Sequence, residues 1–267
     1  MLKDITLGQF FPGKTVVHRL DPRTKLILVI VYIIALFSAE WVVSYGLMLA
    51  TLCGIIAASQ INVKVIIRSL KPLLFIIILT GILNLFYTQG EPLVEFWIFT
   101  ITREGVYHAL FMVLRITMLI AGTFMLTYTT SPIALTDGLE MLLNPLKRIE
   151  VPVHELAMMM CIALRFIPTL IEETDKIMSA QKARGADFET GSLLQRAKAL
   201  IPILVPLFIS SFRRADELAV AMECRCYHGG EGRTRMKQLH YGRIDAVAFV
   251  GGFVVVAGVI ALAHFGL

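Results

Sequence analysis

The chain has 267 residues, 57% of them apolar, and a mean hydropathy of +0.74. Soluble domains run at roughly 45–50% apolar content, so this composition excludes an ordinary soluble fold and defines an integral membrane protein. Lys and Arg outnumber Asp and Glu by 25 to 20, an excess whose placement matters more than its size.

The first 25 residues are polar and basic and lack the apolar stretch of a cleavable signal, so this arm is expected to stay in the cytoplasm. Leu26–Ala58 is too long for one crossing at about 1.5 Å per residue. It breaks at Ser38, Ala39, Glu40 and Trp41, which predicts a hairpin of two short spans. Leu73–Tyr87, Gly105–Tyr128 and Ile244–Phe265 are the remaining spans, a crossing taking about 20 apolar residues or somewhat fewer. The expected fold is all-α: a polytopic helical membrane protein with about five transmembrane spans and long cytoplasmic helices.

Positive charge sets the orientation. Lys3, Lys14, Arg19, Arg23 and Lys25 precede the first span, and Lys64, Arg68 and Lys71 follow the second. The hairpin tip has neither Lys nor Arg, and Thr88–Glu104 has only Arg103 beside Glu91, Glu95 and Glu104. An N-terminus inside and a C-terminus outside satisfy every loop. One long span over Leu26–Ala58 would put Lys64, Arg68 and Lys71 on the wrong side.

Thr129–Arg243 divides the chain into an arm with four spans (1–128), a charged region (129–243) and a last span (244–267). Within that region Ser131 and Pro132 open a short helix ending near Pro145. Pro152 opens a second helix from Val153 to Arg184, stopped by Gly185. Gly191 and Ser192 open a third from Leu193 to Arg225, followed by Gly229 and Gly230. Ala197, Ile201, Leu204, Phe208, Phe212, Ala215, Ala219 and Met222 give the third helix one apolar face. Pro168, Pro202 and Pro206 are expected to bend the two long helices. They are read as lying under the membrane, apolar roots against lipid-side partners and polar tips in the cytoplasm.

Both long helices end on one pattern. Asp175, Ala180 and Arg184 in the second match Asp216, Ala221 and Arg225 in the third, under a shift of 41 positions. Each copy spells Asp-x4-Ala-x3-Arg, which puts Ala and Arg one turn apart on one helix face. An Arg in a last helical turn favours the helix dipole, and Gly185 is an ordinary helix stop. Repetition in register is what this plain reading leaves unexplained. Two equivalent arginines imply a receiver with two equivalent sockets. Arg suits that task because it is always charged and presents five donors in a rigid fork.

With Ala183, Arg184 and Gly185, and with His18, Arg19, Leu20, Asp21, Pro22, Arg23, Thr24, Lys25 and Leu26 leading into the first span, the chain resembles the transmembrane T components of energy-coupling-factor (ECF) transporters. The likeness covers nearly the whole chain. It implies a scaffold in a bacterial or archaeal cell membrane that couples two cytoplasmic ABC ATPase subunits to a membrane-embedded substrate-binding S component, for vitamin or metal-ion uptake. It also implies ATPase-coupling roles for Ala180, Ala183, Arg184, Gly185, Ala221 and Arg225. Asp175 and Asp216 stay open between accessory contacts and a solvated surface. Cys224, Arg225 and Cys226 depart from Ala-Arg-Gly, so a differently shaped second tip is expected. The chain itself is expected not to be an enzyme, with hydrolysis in the partners and no cofactor, metal or nucleic acid of its own.

Other patterns weigh less. Gly8, Gly13, Lys14 and Thr15 fit the phosphate-loop spacing Gly-x4-Gly-Lys-Thr. That loop needs a buried strand before it and a helix after it. Too few residues precede it here, and Asp21-Pro22 interrupts a following helix. Cys224, Cys226 and His228 fall short of the four donors of a closed zinc site. Arg115, in the middle of a span, is expected to pair with Asn84 or backbone carbonyls, or to line an S-component contact. Met158, Met159 and Met160 give the second helix a deformable surface. A self-contained secondary transporter, the alternative function, calls for paired half-repeats and ion ligands inside the spans. The only repeat here lies outside them.

Overall fold

The computed structural model describes residues 10–39, 41–89, 91–96, 99–188, 192–229 and 238–265. Its elements are α1 (Val16–Arg19), α2 (Pro22–Ser38), α3 (Val42–Ser59), α4 (Val63–Leu70), α5 (Leu74–Tyr87), β1 (Pro92–Phe96), β2 (Phe99–Thr102), α6 (Arg103–Thr129), α7 (Pro132–Leu143), α8 (Val153–Ala183), α9 (Leu193–Glu223) and α10 (Arg243–Phe265). Apart from the small antiparallel β1–β2 hairpin, the described regular structure is helical. The long apolar run does break into α2 and α3 at residues 39–41, as expected.

Six helical stretches among the described residues are long and apolar enough to cross a membrane: α3, the continuous run of α4 and α5, α6, α8, α9 and α10. Four of these coincide with expected spans. α2 has only 17 residues and falls just short of that length, whereas α8 and α9 qualify on length and composition. The basic stretch before the third span is not a plain loop. It forms α4, capped by Asn62 accepting from the Lys64 amide at 3.0 Å, and passes through a 3-10 turn at Lys71–Leu73 into α5.

Two units divide the chain, one of Gly8–Leu139 with Leu239–Leu267, the other holding Glu140–Gln238. The first holds four of the six candidate spans and is called the membrane unit below. Its core gathers Leu36 from α2, Met48 from α3, Met118 and Tyr128 from α6, and Val259 from α10, with Ile66 of α4. Between apolar helices in lipid, close packing and hydrogen bonds replace water exclusion as the cohesive force. Gly105 shows how close the packing is: a Cβ there would stand 2.9 Å from the Leu85 carbonyl of α5. Arg115 of α6 donates to Tyr45 Oη (2.7 Å) and to the Ala39 carbonyl (2.9 Å), and lies near the rings of Phe37 and Tyr45. Its partners are thus a backbone carbonyl, as expected, and a tyrosine. Asn84 is spent on Thr80 of its own helix. The charge binds α6 to the α2–α3 turn.

At the other face of this unit Asp21 caps α2 by accepting from the Arg23 amide at 2.9 Å, with Pro22 at the first helical position. Burial pushes the Asp21 carboxyl up, but hydrogen bonds from the Arg23 side chain and backbone outweigh it and hold the pKa below its ordinary value. Residues 10–15 precede α1, a four-residue helix; Gly8 lies outside the described residues.

Candidate functional site

The second unit is built around α8 and α9, each 31 residues and about 46 Å long. Ser192 and Gln195 start α9 with a reciprocal capping box: Ser192 N–H donates to Gln195 Oε1 at 2.9 Å, and Gln195 N–H to Ser192 Oγ at 3.4 Å. Pro206 lacks the N–H that would reach the Pro202 carbonyl one turn back. Gln181 of α8 fills that vacancy, donating to Pro202 O at 3.3 Å.

Three contacts fix the direction of the pair. Gln181 meets Pro202; Glu173 accepts from Ser210 Oγ and from Arg214 Nη2, the latter at 2.8 Å; Ile162 and Phe166 share a groove of about 470 Å³ with Met222 and Tyr227. Residue numbers rise on one helix as they fall on the other, so α8 and α9 are antiparallel. Arg184 and Arg225 therefore lie at opposite ends of the pair. Glu173 and Arg214 are themselves related by the 41-position shift that relates the two arginines. The central ion pair thus joins equivalent positions of the repeat, as a pseudo-two-fold axis requires.

The two ends close with the same pair of turn bonds. At the first, Gly185 N–H donates to Lys182 O (3.0 Å) and Ala186 N–H to Gln181 O (3.0 Å), with Gly185 at φ 88°. At the second, Cys226 N–H donates to Glu223 O (2.8 Å) and Tyr227 N–H to Met222 O (3.0 Å), with Cys226 at φ 57°. Every donor, acceptor and left-handed residue maps onto its counterpart by 41 positions. This is the Schellman closure, normally made by glycine. The expectation of a differently shaped second tip is corrected: Cys226 takes the left-handed conformation in place of a glycine, and Gly229 is not needed as the stop.

Ala180, Ala183, Arg184, Gly185, Ala221 and Arg225 are all exposed, Asp216 is exposed, and Asp175 is half-buried. Neither arginine side chain makes a hydrogen bond or ion pair with a described residue. Among the described residues no three His, Cys, Asp or Glu side chains come together as a metal site. Motif spacing alone missed Glu173, Arg214, Gln181 and the role of Cys226. The repeat itself carried a signal for the first two, since the shift pairs an acid with a base at those positions.

Six long apolar helices among the described residues, two of them forming an antiparallel pair with matched ends, define a multi-pass helical membrane protein. The profile of a family described as cobalt transport protein (CbiQ) matches residues 13–236. A protein of Thermosediminibacter oceani named energy-coupling factor transporter transmembrane protein EcfT is 55% identical over 249 residues, 93% of this chain and 94% of that one. Proteins of the same name from Acidaminococcus fermentans and Bacillus subtilis are 53% identical over 263 residues (98% of this chain, 97% of the relative) and 45% identical over 258 (96% and 97%). The chain belongs to this family, the multi-pass transmembrane components of energy-coupling-factor transporters.

Proposed function

We propose that the two ends of the helix pair dock two equivalent cytoplasmic ATP-hydrolysing subunits, and that α8 and α9 pass the motion of those subunits to a separate substrate-binding membrane protein. The observation that carries this reading is the identity of the two closures. A single receiver type, used twice, requires two ends with the same backbone, and a cysteine has been placed in glycine's conformation to give it. Arg184 and Arg225, whose donor forks meet no partner among the described residues, then reach acceptors on the two subunits, with Ala180, Ala183, Gly185 and Ala221 allowing close approach and Asp175 and Asp216 nearby. Hydrolysis belongs to the partners in this reading.

A second partner is supported by the sides of the helices. Leu204, Val205, Phe208, Ile209 and Phe212 of α9 are 46–69% exposed, a run of large apolar side chains too long to be scattered surface residues. A hydrophobic membrane protein is the partner such a face suits. Residues 129–243 then face the cytoplasm, with the N-terminus inside and the C-terminus outside, as the Lys and Arg placement favours. The substrate is a metal ion or vitamin; the family description names cobalt, while the relatives' names give no substrate.

Affinity purification from native membranes tests the assembly. Two ATPase subunits and a small hydrophobic protein should come with the chain. A lone chain that catalyses uptake without ATP would end the reading and favour a secondary transporter. Cysteines placed at Glu40 and Glu91 in a background without native cysteines should label from outside, and one at Gln195 should not.

A further inference from the structure

The Glu140–Gln238 segment is continuous with the chain of the membrane unit at its two ends, leaving after Leu139 and returning at Leu239. Inside the membrane unit both places are held by the same few residues. On the way out, buried Gly138 of α7 lies so close to the start of α2 that a Cβ would stand 3.0 Å from Pro22 Cβ and 3.3 Å from the Arg23 amide nitrogen. On the way back, Arg23 Nη2 donates to the Leu239 carbonyl at 3.0 Å, and its guanidinium lies 4.0 Å from the centre of the Tyr241 ring. The Asp21 amide donates to Asp245 Oδ1 at 2.8 Å, and Asp245 Oδ2 accepts from the Gly242 amide at 2.8 Å. Asp21 in turn fixes the arginine, taking Nε at 3.0 Å and Nη2 at 2.9 Å. A corner set by a proline ring and a doubly held guanidinium has little freedom of its own.

We propose that Asp21, Pro22 and Arg23 form a two-point clamp on the exit and return of the Glu140–Gln238 segment, with Arg23 the positioning residue that makes energy coupling efficient. The inference rests on the ATPase-docking reading above for its functional half. Motion fed in at the helix ends is transmitted only if the chain's attachments hold still. A return segment free to slide would absorb the motion in backbone rearrangement at 239–242. Lysine cannot replace the arginine, because one ammonium cannot hold both Asp21 oxygens in a planar fork while stacking on Tyr241 and reaching Leu239.

The test uses the full complex with Arg23→Lys and Arg23→Gln, reconstituted in vesicles, with Arg19→Lys as a nearby control. Three quantities are read: ATPase subunits recovered per chain, ATP hydrolysed, and substrate taken up per ATP. The clamp predicts recovery and hydrolysis close to wild type, while uptake per ATP falls by about fivefold or more, the low end of coupling between sites. A purely structural role would lower recovery and ATP hydrolysed in step with folded protein, leaving uptake per ATP unchanged, and that result overturns the proposal. Amide hydrogen exchange at 239–242 is read in parallel and should rise in both variants. Wild-type preparations without ATPase subunits would remove the docking reading, and the functional half of the clamp with it. Unchanged exchange in Arg23→Gln would overturn the clamp itself. Should the Arg23 variants fail to insert, Tyr241→Leu removes only the stacking ring and carries the same measurements.

Discussion

Both units expose large apolar side chains, but only the membrane unit also buries an apolar core. In the first, Leu36, Met48 and Tyr128 have no exposed surface, and a polar network around Asp21, Arg23 and Asp245 closes one face. In the second, Val153, Ala157 and Ile203 are the only buried apolar residues among those described, and Phe208 and Phe212 are 62% and 69% exposed. The membrane unit has a core of its own and leaves Phe75 and Phe253, each 74% exposed, on its outside. The helix pair is held together by a few polar contacts, and on the docking reading its apolar sides and both arginines face partners. On that reading the apolar core and the docking ends are separated along the chain, and substitutions can tell them apart.

The largest effect is expected at the helix ends. Arg184→Glu or Arg225→Glu should each weaken ATPase attachment by at least about 2 kcal/mol, roughly thirtyfold, as desolvated interface arginines commonly do. The double reversal should nearly abolish attachment and uptake at unchanged membrane yield. Co-purification and uptake near wild type in the double variant would sink the docking role. If the arginines merely complement helix dipoles, yield or Tm would fall while uptake per molecule held.

The mirror-image result is expected at Arg115. Arg115→Met strands Tyr45 Oη and the Ala39 carbonyl, losing two charge-assisted hydrogen bonds worth about 1.5–3 kcal/mol each at most. Thermal unfolding in detergent should move down markedly, while ATPase recovery per folded chain stays constant. A loss of attachment without a loss of Tm would blur the separation between the units.

The two ends can also be set against each other. Gly185→Ala forces a side chain into left-handed backbone and should cost about 1 kcal/mol or more, whereas Cys226→Gly relieves that strain and should gain up to about 1 kcal/mol. Changes of the same sign, read by exchange protection of the last helical turns, would mean the two closures differ after all. Glu173→Gln should cost less, about 0.5–1 kcal/mol, because Arg214 is 36% exposed. Lys14→Ala should leave ATP hydrolysis by the complex unchanged; ATP binding by the isolated chain that vanishes with this change would revive the phosphate loop.

Much of this was legible in the sequence. The polar break at Ser38–Trp41, the starts of α8 and α9, and the paired arginines all follow from local composition and spacing. Residues 63–73 were harder, because Lys64, Arg68 and Lys71 read as a solvated loop although the first two lie on amphipathic α4 and the third opens the 3-10 turn after it. Cys226 was hidden because helix-stop rules look for glycine, and nothing local announces that a cysteine adopts its conformation. The bond from Asp21 to Asp245 joins residues 224 positions apart, beyond any periodicity.

The position of the Glu173–Arg214 pair has a mechanical meaning. Glu173 stands eleven residues before Arg184, and Arg214 eleven before Arg225, about 16 Å of helix in each case. In the other direction α8 runs back twenty residues to Val153 and α9 twenty-one to Leu193, about 30 Å. On the docking reading, a helix turning about this contact would swing its far end nearly twice as far as its arginine, trading force at the short arm for travel at the long one. Pro168, Pro202 and Pro206 all fall on the long arms. The short arms, which would take the load, are uninterrupted helix.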